Sequence, residues 1–352
     1  MEHLMEVHMI LDRVIHQGMK KAVNITAKFR GDDGFHDRLL SYLNENLPFQ
    51  IVRLTPLRRN VFIVRLSDGF QFVLKGYSSL RRLKIQEVFT QSLKKEGFPY
   101  TYSFYSFPKE HCLYFESQYF GFLEFLKRGE QPFFYDSKNN CQEGIQLLQR
   151  FHTVSEKLVG RYKTILPSFH LIDKWEERYR LFEQNISLIS FFLQKEVIQD
   201  LLAWAEWSIT GLKQEKNSLY AFPNVILHGD VAHHNFFRTS NGELLLIDFD
   251  LISIGPVISD YLQYANRILP FLNWSLQELT SFEQFRPYFN HHVFLYALVY
   301  PTDIFREWNR LVKEKSYNDN RKLRTVMELT LRQFEKRKDF YKEIEARING
   351  GN

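Results

Sequence analysis

Residues 225–250 read VILHGDVAHHNFFRTSNGELLLIDFD. The apolar run 225–227 has the composition of a short buried strand and delivers Asp230 on the loop behind it, after His228 and Gly229. Asn235 follows five residues later. Ser240-Asn241-Gly242 marks a hairpin turn, with Gly242 supplying the positive φ such turns require. The apolar run 244–247 then ends in Asp248-Phe249-Asp250. Two carboxylates eighteen residues apart thus sit at the ends of short apolar strands, with an amide between them. An Asp-x4-Asn pair alone arises by chance in many chains. The preceding His-Gly, the flanking strands and the spaced Ile-Asp-Phe make this one specific.

Phosphoryl transfer needs such a set, because its loose transition state is stabilised by positioning and by cations. One carboxylate takes or orients the proton of an attacking hydroxyl. A second carboxylate and an amide oxygen suit Mg²⁺, a hard ion that prefers oxygen ligands. The chemistry has an upstream requirement: a strand lysine for nucleotide phosphates and a helix carboxylate to hold that lysine. Lys75 ends the apolar run 72–74, just after a Ser67-Asp68-Gly69 hairpin turn. Glu87 lies twelve residues on, within a helix expected over 79–96; Glu96 shares that helix, and Glu87 fits the spacing better.

Around these motifs the chain has the composition of a folded globular protein. Its 352 residues give a prior of two domains or lobes, and 44% hydrophobic with 25% charged residues excludes a disordered or collagenous chain. The net charge of +5 is compatible with binding phosphates but is not the footprint of a nucleic-acid binder. Cys112 and Cys141 make no disulfide scaffold and no zinc motif. His233-His234 and His291-His292 lack a third ligand at useful spacing, so neither pair reads as a metal site. The first residues, MEHLMEVHMILDR, do not follow a signal-peptide pattern, and no apolar run reaches the ~18 residues needed to span a bilayer. The expectation is a cytoplasmic, soluble protein without a membrane partner.

Helical spacing is expected over 2–18 and 36–46. Strands are expected over 50–54, 61–66, 70–75, 101–107 and 112–119. The rest reads as mostly helical, over 139–158, 173–193, 195–213, 257–269, 291–299 and 320–346, interrupted by the strands of 225–249. An α+β chain follows: a small antiparallel-sheet N-terminal lobe over 1–120 and a helical C-terminal lobe over 121–352.

At this point the sequence resembles the aminoglycoside phosphotransferase/choline kinase-like family, the small-molecule branch of the protein-kinase-like fold. Within that family it resembles the bacterial spore-coat, CotS-like branch. The matching residues are Asn60 with the following 61–64, Lys75, Leu147-Leu148 with Phe151-His152, His228-Gly229-Asp230 with Asn235, Ile247-Asp248-Phe249-Asp250, and Gly255-Pro256 with Asp260. They span roughly residues 50–265. The resemblance implies a two-lobed fold, ATP and Mg as cofactors, Asp230 as catalytic base, and Asn235 and Asp248 as metal ligands. Lys75, held by Glu87, would contact the nucleotide phosphates near the Asn60 turn. Glu116 to Phe120, including Gln118, would be the hinge that reads adenine through its backbone. Asp260 would support the catalytic loop by hydrogen bonding its backbone, and His228 would be a packed anchor of that loop.

Two features depart from the pattern. The turn at 55–60, TPLRRN, has no glycine, although a backbone phosphate cradle normally wants one. Arg58 or Arg59 there is either a phosphate contact or part of a solvated pair. Ala232 stands where many members of the family carry His. Gly255 follows only seven positions after Asp248, too close for a peptide-docking activation segment, so a small-molecule acceptor bearing a hydroxyl or amine is expected. The alternative is a kinase-like structural protein that partners spore-coat proteins without catalysis.

Overall fold

The computed structural model describes residues 34–106 and 113–350. The helix expected over 2–18 and Cys112 lie outside the described residues. The chain divides into two compact units, one through Gly129 together with Thr239–Asn241, the other Glu130–Arg238 together with Gly242 onward.

In the first unit, β1 (Ile51–Arg58), β2 (Val61–Leu66), β3 (Gln71–Tyr77), β4 (Phe104–Tyr105), β5 (Leu113–Phe115) and β6 (Gln118–Glu124) form one antiparallel sheet. Its order is β1-β2-β3-β6-β4, and β5 also pairs with β6. Side chains alternate across a strand, so β2 turns Phe62, Val64 and Leu66 to one buried face and β3 adds Phe72 and Leu74. Helix α1 (Phe35–Asn46) covers that face with Leu39 and Leu43, four residues apart and fully buried. Helix α2 (Leu80–Lys95) begins at Ser79, whose hydroxyl accepts from the Arg82 N–H at 3.3 Å. It packs over Gly121 of β6, where any Cβ would meet the Leu83 side chain. Gly69 closes the β2–β3 hairpin at φ +90°, as the turn residues imply.

The second unit contains the helices α3 (Lys138–Tyr162), α4 (Leu171–Gln184), α5 (Lys195–Gln214), α6 (Ile258–Ile268), α7 (His292–Val299), α8 (Thr302–Lys313), α9 (Asn320–Leu331) and α10 (Phe334–Asn349). Between α5 and α6 run two short antiparallel pairs. One joins β7 (Asn224–Leu227) to β10 (Ser253–Pro256), and the other joins β8 (Phe236–Arg238) to β9 (Leu244–Leu246) across the Gly242 turn. Ser155 of α3 donates to the Ile226 carbonyl at 2.9 Å, fastening β7 to the helical core.

Several boundaries differ from expectation. Strand β1 runs on to Arg58, so the glycine-free stretch 55–58 pairs with β2 as ordinary strand. The helix expected over 173–193 ends at Gln184. That over 320–346 is two helices, broken at Arg332-Gln333, two residues that carry no stop signal of their own. Helix α8 was not expected; its Ile304, Phe305, Trp308 and Leu311 form one buried stripe just after Pro301. No helix among the described residues is long and apolar enough to cross a membrane.

Candidate active site

Strand β7 ends at Leu227, and the chain turns through Gly229 at φ +78° to present Asp230. A Cβ on Gly229 would overlap the Leu251 carbonyl oxygen, so the turn needs glycine for both conformation and space. Gly229→Ala is therefore expected to destabilise by roughly 2 kcal/mol, read as a lowered melting temperature, whereas an unchanged melt would show that the loop simply reshapes.

The loop is held from beneath by one face of α6. Asp260, fully buried, accepts from the His228 N–H at 2.7 Å and the Gly229 N–H at 3.1 Å, and its Oδ2 also meets His152 Nε2 at 2.9 Å. Gln263 clamps the next peptide units, accepting from the Val231 N–H at 2.5 Å and donating to the Gly229 carbonyl at 3.0 Å. Arg267 reaches Asp230 itself, with its guanidinium 3.5 Å from Asp230 Oδ1. Residues 260, 263 and 267 recur at the spacing of a single helix face. Sequence reasoning found Asp260 and missed the other two, although the i+3 and i+7 offsets from Asp260 were readable.

His228 joins the two motif loops. Its Nε2 lies 3.0 Å from the Ile247 carbonyl and its Nδ1 accepts from the Asp230 N–H at 3.3 Å. The neutral ring with its proton on Nε2 satisfies both bonds, which makes His228 a loop anchor. Asn235, also buried, donates through Nδ2 to the Asp230 carbonyl at 2.8 Å and to Asp230 Oδ2 at 3.2 Å. The Ile247 N–H donates in turn to the Asn235 carbonyl at 2.9 Å. Asp248 follows at φ +69°, a left-handed conformation that costs a non-glycine residue about 1–3 kcal/mol and recurs at functional sites. His233 and His234 stand nearly perpendicular, at 86°, with His233 against Phe134 and His234 Nε2 3.8 Å from Asp230 Oδ2.

The donor set fits Mg²⁺. The Asn235 amide nitrogen is used on Asp230 and its amide oxygen accepts no hydrogen bond among the described residues, while Asp248 supplies a carboxylate. Among the described residues no group of three or more His, Cys, Asp or Glu could hold a metal.

The sheet unit carries the remaining candidates. Lys75 is 7% exposed on β3, deep burial for a lysine, with its ammonium 5.2 Å from the Tyr77 ring centre. Glu87 of α2 receives the Lys84 ammonium at 2.7 Å. Its neighbour Gln86 is the buried member of that helix, accepting from the Tyr77 hydroxyl at 3.1 Å. Asn60, at φ +61°, forms the β1–β2 turn and accepts from the Gly76 N–H at 2.7 Å.

The hinge expected over 116–120 needs correction. Glu116 and Ser117, at φ +41° and +62°, are the turn of the β5–β6 hairpin, and the Glu116 carboxylate lies 2.7 Å from the Arg38 guanidinium. Phe120 pairs with Gly76 on one side and Leu113 on the other, so the backbone there is committed to ladders and is not open to read a base. The Gln118 side chain fills the space above Gly76, its amide oxygen buried without a hydrogen-bond partner among the described residues. The chain leaves the sheet only after Glu124.

Comparison with known proteins bears on this arrangement. The model of the phosphotransferase enzyme family matches residues 111–286. No curated protein matches the chain. Among solved structures, an aminoglycoside phosphotransferase from Alicyclobacillus acidocaldarius superposes with a TM-score of 0.66 at 14% identity, covering 92% of this chain and 99% of that one. APH(2")-IIia in complex with GDP and kanamycin gives 0.58 at 13% identity, covering 84% and 98%. LicA in complex with AMP gives 0.51 at 12% identity, covering 88% and 100%. At such identities these likenesses show the fold alone, and that fold is the two-lobed, kinase-like one.

Proposed function

The chain belongs to the phosphotransferase enzyme family, and on that premise we propose that it transfers the γ-phosphoryl group of ATP, with Mg²⁺, to a hydroxyl of a small molecule, using Asp230 as base. The single observation that carries the reading is the Asp230 loop, fixed at every peptide unit by Asp260, Gln263 and Asn235. Such pre-organisation is what a reaction catalysed by positioning requires.

Asp230 keeps a side chain about a third exposed (31%), which leaves room for an acceptor hydroxyl to meet it. In the transfer the acceptor oxygen bonds to the γ-phosphorus, the bond to the β–γ bridging oxygen breaks, the hydroxyl proton passes to Asp230, and ADP leaves. Asn235 holds the orientation of the Asp230 carboxylate through the amide nitrogen that bonds it. Asn235 and Asp248 would hold Mg²⁺, which when bound supplies neutralisation of the charge on the phosphate oxygens. Lys75 serves the nucleotide phosphates, with Glu87 on the adjoining helix. Adenine reading is assigned to the backbone from Phe125, where the chain leaves β6. The bound GDP and AMP of the similar structures support a nucleotide site in this fold.

A thermal-melt titration tests the nucleotide half of the proposal. Mg-ATP at a hundred times its Kd adds about 2.7 kcal/mol, a shift of several degrees. The shift is expected with wild type and Mg²⁺, and is expected to vanish in Asp248→Ala. No shift at millimolar nucleotide would turn the reading toward a non-catalytic, structural role.

A further inference from the structure

We propose that the acceptor carries an anionic group, a phosphate or carboxylate, received by Lys174, Arg178 and Arg267 of the helical unit beside Asp230. This deepens the phosphotransferase reading and rests on it for the identity of the ligand as acceptor.

The segment entering α4 is fastened to the strand pair that presents Asp230. The Phe169 N–H donates to the Ile254 carbonyl at 2.7 Å, the Ile254 N–H donates to the Pro167 carbonyl at 2.8 Å, and β10 pairs with β7. Lys174 lies over the Phe169 ring at 4.9 Å from this anchored position, and its side chain retains an exposed surface. One turn further along α4, Arg178 donates to the Thr302 hydroxyl at the start of α8, and Asn309 of α8 donates to the Arg178 carbonyl at 2.9 Å. Phe182 of α4 stacks on Phe305 of α8 at 4.2 Å, and Trp175 of α4 stacks at 4.3 Å on Tyr300, two residues before α8 begins, so the two helices pack together. Arg267 completes the group from α6, 3.5 Å from Asp230.

The neighbouring acids are already committed. Glu176 is paired with Lys213 and Glu177 with Arg180. Asp303 is gripped by Arg337, and Glu307 is shared between Arg306 and Arg310. Lys174 and Arg178 consequently have no carboxylate within ion-pair distance among the described residues. Their mutual repulsion is felt: burial first, then the Arg178 and Arg306 charges, bring the Lys174 ammonium down to about 8. Arg178 and Arg267 are likewise lowered, by burial and then by the charge of Arg306. Asp260 and Asp230 draw the Lys174 group the other way and Asp303 does so for Arg178, yet neither cation has a carboxylate in ion-pair contact among the described residues, and that is the arrangement a bound anion completes. A polyamine such as kanamycin would meet like charge there.

The test titrates inorganic phosphate, and separately kanamycin, into the full chain and into Lys174→Gln, Arg178→Gln and Arg178→Lys, with the Mg-ATP melting shift recorded on each. Lys174 has no ion pair to lose, so Lys174→Gln is expected to fold as wild type. Phosphate is expected to bind wild type, to weaken about tenfold or more in each Gln variant, and to recover in part in Arg178→Lys, while the Mg-ATP shift persists. Kanamycin is expected not to bind. Equal phosphate affinity in all four proteins, or kanamycin bound at least as tightly by Lys174→Gln, overturns the proposal. Phosphate binding and the Mg-ATP shift lost together in the variants would assign these cations to the nucleotide instead, and also overturns it. Variant-sensitive phosphate binding in a wild-type protein that shows no Mg-ATP shift would support the anion site and overturn only the phosphotransferase reading.

Discussion

Asp230→Ala is expected to slow phosphoryl transfer by about 10²–10⁴-fold, the loss that follows removal of a general base. The fold should survive, because the loop's backbone bonds run to Asp260 and Gln263 and not through the Asp230 carboxylate. What the substitution removes is the proposed proton acceptor, together with the partner of Arg267 and one of the two bonds from Asn235. ADP formation followed in a coupled assay, with melting temperature as the control for folding, checks it. A tenfold loss or less with an intact fold would place the base elsewhere.

The largest loss of stability is expected from Asp260→Ala. The substitution leaves His152 and the N–H groups of His228 and Gly229 buried without their acceptor. Breaking such a buried pair costs about 3–5 kcal/mol, and for units of this size that lowers the melting temperature by roughly 10 °C. The same residue sets an acid limb. Burial alone would raise the Asp260 carboxyl, but the hydrogen bond and charge of His152, with the hydrogen bond from the His228 backbone N–H, outweigh it and hold the group below its ordinary value. Its stabilisation is therefore complete above the unfolded-state value and is lost as pH falls through the lowered folded one. Wild type should lose stability more steeply than Asp260→Ala over that interval. Parallel acid limbs would mean that Asp260 is not the group responsible.

The two loops of the candidate site were legible because their signal is local. Asp230, Asn235 and Asp248 lie within nineteen residues, and Gly229 and Gly242 mark turns that other residues occupy at a cost. The β2–β3 hairpin was legible for the same reason, at Gly69. The hinge was misplaced because the β5–β6 turn is made by Glu116 and Ser117, two non-glycine residues at positive φ, which leave no turn signature in the sequence. Without that turn, 112–119 reads as one strand and the segment after it as the exit from the sheet. The break at Arg332-Gln333 was invisible because both residues are good helix formers; at the break the Gln333 side chain accepts from the Trp274 indole N–H at 2.9 Å and donates to the Pro270 carbonyl at 3.0 Å, contacts distant in sequence. Arg178 and Arg267 were beyond reach for another reason. They stand 89 residues apart in sequence and acquire meaning only when α4 and α6 bring their charges into one field.

The central claim is most directly tested by incubating the protein with Mg²⁺, ATP labelled at the γ-phosphate and a small-molecule fraction, then following the label in wild type, Asp230→Ala and Asp248→Ala. The account predicts that wild type moves label onto a small molecule and that both variants fail to do so. Label that stays on ATP with every fraction tried, or that reaches a product equally well in Asp230→Ala, would contradict it.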